Sequence, residues 1–193
     1  MTTTVGSFRI CNFKGHFRLH RKIHPIQTFA HLPSNVRVKR CCNFTVIRPS
    51  LDKVVFTLFH SSNHVNFSGI RQFIKIPNAL RAFNKLFESS VQIGDVIIDN
   101  TTIAGRLMID GVQFYHLKKL KKATEEISHG DAHLSLRPHF FPGGVLRRKN
   151  SPTIILFGSG RYVILGTKTP CQVRTTMEFL HALIHRMSSS LIL

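Results

Sequence analysis

Two stretches of this chain carry the same apolar stripe at the same spacing, 97 residues apart. Ile76, Leu80, Phe83 and Phe87 are separated by four, three and four positions, and so are Val173, Met177, Leu180 and Ile184. That spacing lines one face of a helix. Gly69 and Gly166, which precede the two helices, keep the same separation. Pro77 and Pro170 stand near the helix starts, where a missing N–H costs nothing. Thr169 with Gln172 reads as a capping box. Each stripe is expected to pack on a sheet, at about 1.5–3 kcal/mol per fully buried side chain. A repeat of this length points to two copies of one supersecondary plan.

The strands before the helices correspond as well. Val54–Phe59 with the turn His60-Ser61-Ser62-Asn63 parallels Ile154–Phe157 with Gly158-Ser159-Gly160, with one extra turn residue in the first copy. Arg9-Ile10-Cys11-Asn12 parallels Ile97-Ile98-Asp99-Asn100, now 88 apart, against 98 for Phe59 and Phe157. The second copy therefore holds an insertion, expected in the polar stretch Lys118–Pro138. Short helices are expected at Pro25–His31 and Val112–Glu126. Each half reads strand, helix, a set of antiparallel strands, then a long helix. The halves are set at 1–90 and 91–193, with Ser89-Ser90 a weak junction. Halves joined this tightly are expected to share one continuous sheet.

The densest segment is Phe141–Gly166, FPGGVLRRKNSPTIILFGSGRYVILG. It reads as three short strands, two of them Thr153–Phe157 and Tyr162–Leu165, by alternation and β-branched content. Gly158-Ser159-Gly160 is a hairpin turn, since glycine supplies positive φ. Phe141 and Phe157 fall at strand ends, where a ring can leave the sheet; periodicity alone also fits two core residues.

The wording of this segment resembles the second repeat of the TATA-box-binding protein family. The matching residues are Phe141-Pro142-Gly143, Arg147, Ile154–Phe157, Ser159-Gly160-Arg161 and Val163-Ile164-Leu165-Gly166. The two-copy plan extends the resemblance over the whole chain. It implies an α+β saddle of two pseudo-symmetric repeats: a curved, ten-stranded antiparallel sheet with four helices on its convex face. The concave face would bind and bend AT-rich promoter DNA through the minor groove. That groove shows only acceptors at adenine–thymine pairs, so an aliphatic floor with a few amide donors suits it. Aromatic wedges unstack a base step and bend the duplex.

Carried over residue by residue, the resemblance makes Asn12 and Asn100 the central amide donors and Phe141 and Phe157 one wedge pair. Phe59 matches a wedge of the other pair. Its companion falls at or near Cys41, and Phe44 stands three residues late, a shift expected to change its face. Thr57, Ile155 and Val163 match floor positions, the counterpart of Val163 being near Asn66. Ser68 and Leu165 stand where the family has threonine, Lys14 and Thr102 where it has valine. Arg48, Arg147, Arg148, Lys149, Arg161 and Lys168 are the expected phosphate contacts. The loop before Phe-Pro-Gly, acidic in the family where it receives the IIB-type factor, here reads His133–His139 without carboxylates. RNA polymerase and initiation factors are the implied partners, a monomer on DNA the implied state, and the nucleus the implied location. The divergence suits a homologue from a large DNA virus or a specialised paralogue.

Composition agrees with a polyanionic partner. Lys and Arg number 27 against 9 acids, a formal charge of +18. The basic first repeat also fits an RNA or RNA–DNA hybrid module of the same fold, or an appended nuclease or glycosylase subdomain, and charge alone fits a scaffold for an acidic protein. Cys11, Cys41, Cys42 and Cys171 have no zinc spacing, and adjacent Cys41 and Cys42 are expected on opposite faces of a strand. A reducing compartment is the simplest reading. The opening MTTTVGSFRIC has no apolar signal core, and no run approaches the roughly 20 residues of a membrane span. The acids form no paired-carboxylate motif, and no GxxxxGK[ST] is present. His16, His20 and His24 are spaced by four in strand-like surroundings and read as solvated. No enzyme, cofactor or metal is expected.

Overall fold

The computed structural model describes residues 3–20, 34–49, 53–87, 91–109 and 116–189. The strands are β1 (Thr3–Leu19), β2 (Val36–Arg40), β3 (Phe44–Pro49), β4 (Val55–Phe59), β5 (His64–Ile70), β6 (Ile93–Ile109), β7 (Ala132–Leu136), β8 (Gly143–Arg148), β9 (Thr153–Phe157) and β10 (Arg161–Thr167). The helices are α1 (Ile76–Asn84), α2 (Leu117–Ser128) and α3 (Pro170–Ser189). The strands form one antiparallel sheet in the order β2-β3-β4-β5-β1-β6-β10-β9-β8-β7. Two compact units divide the chain: Cys11–Thr101, and Met1–Ile10 with Thr102–Leu193.

In the Cys11–Thr101 unit the apolar alternation selects one sheet face for α1. Thr45, Ile47, Phe56, Leu58, Val65, Phe67 and Phe17 are buried on it. Phe83 of α1 packs its ring against Phe56 at 4.8 Å and Phe17 at 5.3 Å. At about 1.5–3 kcal/mol per buried side chain, this aromatic cluster fixes the strand faces. Gly69 has φ +93°, and a Cβ there would strike the Lys53 carbonyl. Its repeat partner Gly166 has φ +90°. Both therefore need glycine to turn the chain from the last strand toward its helix.

In the other unit α2 and α3 cover the same kind of face. Ile103, Leu134, Leu146, Ile154, Ile164 and Leu180 form its core, with Leu183 and Ile184 of α3. The helix-start signal behaves nearly as expected. Gln172 N–H donates to Thr169 Oγ1 at 3.2 Å, while Gln172 Oε1 accepts from the Lys168 N–H at 2.7 Å, one residue upstream of the usual box. In both units no described element covers the opposite face of the strands.

Several expectations change. Three α-helices stand among the described residues; the fourth, expected at Pro25–His31, lies outside them. The helix expected over Val112–Glu126 is α2, Leu117–Ser128, with 112–115 outside the described residues. The insertion is split. The asparagine strands lie 88 apart, but β2 and β7 begin 96 apart and β3 and β8 begin 99 apart. Residues are thus added both before β7 and in the β7–β8 loop. The basic loop read at His133–His139 is half strand, since β7 runs to Leu136. Cys41 and Cys42 lie in the β2–β3 turn, not within a strand.

Candidate nucleic-acid interface

Strand register sets out the uncovered face of the Cys11–Thr101 unit in rows. Val46 pairs with Thr57, Thr57 with Asn66, and Asn66 with His16. Val55 pairs with Ser68 in the next row. At the strand ends Phe44 pairs with Phe59, their ring centroids 6.3 Å apart. A recess of about 380 Å³ gathers Phe44, Phe59, Thr57, Asn66, Ser68 and Lys14.

Phe44 does not change face. The Cys41 N–H donates to the Phe44 carbonyl at 2.8 Å and closes the β2–β3 turn. The turn absorbs the shift, and β3 then starts with Phe44 on the same face as Phe59. Cys41, the position matched from sequence, is half-buried in that turn and carries no ring.

The Thr102–Leu193 unit reaches a similar arrangement by another route. Gly143 holds the register position opposite Phe157, as Phe44 does opposite Phe59. A Cβ on Gly143 would come within 2.7 Å of the Phe141 ring and 3.2 Å of the Phe157 ring. The Phe141 ring, from two residues upstream, thus lies over the missing side chain. Phe141 and Phe157 stand 5.8 Å apart at 59°. Inward from them run the row Ser135, Val145, Ile155, Val163 and the pairs His133 with Arg147 and Thr153 with Leu165. Arg147 and Arg161 are exposed and share the alternation of these rows. Beside Phe141 a recess of about 690 Å³ opens between α2 and the β7–β8 loop, with Lys118, Lys121 and Arg137 on its walls.

Asn12 is fixed rather than loose. Its Oδ1 accepts the Gly69 N–H at 2.6 Å, which orients the amide so that its NH2 group points away from that contact. Asn100 lies in the same unit, half-buried on β6; Thr102, two residues on along that strand and in the other unit, is half-buried too. Arg48 is exposed on β3 and Lys14 on β1. Lys168 is exposed at the α3 start. Of the other expected phosphate contacts, the Arg148 guanidinium lies over the Phe179 ring of α3 at 4.9 Å, while Lys149 is exposed in the β8–β9 turn, its backbone N–H donating to the Asp131 carbonyl at 3.2 Å. His16, read as solvated, is half-buried and holds Asp99 through Nδ1 at 2.9 and 3.0 Å. Its ring lies 5.6 Å from that of His64, whose Nε2 accepts from Arg18 Nε at 2.8 Å. Sequence spacing gave no sign of this cluster, because its members come from three strands. Among the described residues no group of three His, Cys, Asp or Glu is placed to hold a metal.

No family model matches the sequence, and no curated protein does. The fold is another matter. Methanococcus jannaschii TBP aligns with 93% of this chain and 98% of its own, at a TM-score of 0.69 and 20% identity. The chain has a TBP-like fold. Within this fold Phe59 and Phe157 stand at strand ends, each with a second ring against it, Phe44 in one unit and Phe141 in the other.

Proposed function

We propose that this TBP-like chain binds double-stranded DNA through the minor groove, bends it, and marks AT-rich promoters for transcription initiation. The observation that carries the reading is the pair of phenylalanine rings at the strand ends of each unit, on the face that no described helix covers. Rings so placed are suited to enter a base step. Unstacking a step costs a few kcal/mol, which contacts along the bent duplex offset. The aliphatic row Val145, Ile155, Val163 suits a groove floor without donors. Asn12 and Asn100 supply amides, and Lys14, Arg48, Arg147, Arg161 and Lys168 supply cations for phosphates. Polymerase and initiation factors are the further partners of such a complex, and a nucleus is its place in a eukaryotic or viral setting. The protein acts as a monomer on DNA and performs no catalysis.

The test is energy transfer across an end-labelled AT-rich duplex. The intact chain is expected to shorten the end-to-end distance. Phe141→Ala or Phe157→Ala is expected to weaken binding by on the order of 1–3 kcal/mol, the worth of one base–aromatic stack, and to relax the bend. Transfer that stays the same in both variants would sink the reading.

A further inference from the structure

We infer that the two units read different base pairs: the floor of the Cys11–Thr101 unit accepts guanine–cytosine, whereas that of the Thr102–Leu193 unit excludes it. The inference rests on the DNA reading above. It follows from one row in each unit. Thr57 pairs with Asn66 where Ile155 pairs with Val163, at separations of 98 and 97 that match the repeat. Guanine places an N2 amino group in the minor groove, the one donor there; adenine–thymine offers acceptors only.

An aliphatic floor leaves that donor buried without a partner, which is costly. Asn66 Oδ1 and Thr57 Oγ1 are acceptors at the corresponding place. Among the described residues neither side chain has a hydrogen-bond partner, so both remain available. The Asn66 amide can turn and donate instead, so this floor takes either kind of pair. His16, the next member of the row, is already tied to Asp99.

The experiment starts from an AT-rich duplex and introduces single G·C pairs in each half. A parallel set carries inosine, which lacks the N2 amino group. In one half G·C is expected to lower affinity about tenfold or more, and inosine to restore it. In the other half G·C is expected to change affinity less than about threefold. Asn66→Val should bring the penalty to the tolerant half, and Val163→Asn should relax it in the strict half, which assigns each half to its unit. Thr57→Val offers a second route should Asn66→Val unfold, and thermal melts establish which variants are folded. Equal penalties in both halves, untouched by these variants, overturn the inference and leave the DNA reading standing. Absence of salt-sensitive duplex binding by the intact chain overturns both.

Discussion

Tyr162 is 1% exposed in the core of the Thr102–Leu193 unit. Its hydroxyl donates to Met177 Sδ at 3.6 Å, and its ring lies against Gly105, where a Cβ would come within 2.5 Å of Tyr162 Cζ. Gly15 meets the Phe67 ring in the same way in the other unit, at 2.6 Å. An aromatic ring laid on a strand glycine is thus used twice. Burial pushes the Tyr162 phenol pKa up, because the phenolate loses its water. The unfolded chain then deprotonates first, above about pH 10. The stability held by the neutral phenol is complete below that pH and is lost as pH rises through the folded value. Tyr162→Phe should therefore flatten the alkaline fall in urea midpoint. At pH 7 it should cost under about 1 kcal/mol, since sulfur is a weak acceptor. An alkaline limb of the same slope in the variant would assign it to another group.

At the scale of elements, the β2–β3 turn and the β7–β8 loop solve one problem in two ways. One starts its strand with the ring, Phe44; the other starts with Gly143 and folds Phe141 back over it. Phe44→Ala is accordingly expected to reduce DNA bending about as much as Phe141→Ala, while Cys41→Ser leaves the bend angle unchanged. The reverse pattern would return the wedge to Cys41. This contrast also marks what the sequence could carry. The second helix stripe, the Gly158–Gly160 hairpin and strand Thr153–Phe157 depend on local period and turn chemistry, and they stand where expected, while the first stripe is shortened, since α1 ends at Asn84 and leaves Phe87 beyond it. Phe44, the His16–Asp99 pair 83 residues apart and the Arg148–Phe179 contact depend on register and on distant partners. Local patterning does not encode those. The count of turn residues, which decides whether Phe44 faces its companion, is set by the pairing of β3 with β4.

At the scale of the whole molecule, a charge of +18 calls for a polyanion without saying which face meets it. Lys14, Arg48, Arg147 and Arg161 are exposed on the strand faces that carry the phenylalanine pairs, whereas Lys119 and Lys122 are exposed on α2, which packs on the other face of its own unit's strands. Both sets attract DNA at long range, but only cations seated against phosphates release counterions in fixed number. With Lys168 at the α3 start, the first set makes five such contacts, which predict that log affinity falls against log salt with a slope of about −4.5. Arg161→Ala should then reduce the slope by about one, while Lys122→Ala leaves it where it was. A slope that responds to Lys122 and ignores Arg161 would put the duplex on the helical side. The ring pairs would then have no base step to enter, and the fold would serve a different partner surface. Because the two variants remove the same charge, the comparison separates seated contacts from general attraction, and it does so without knowledge of the bound sequence.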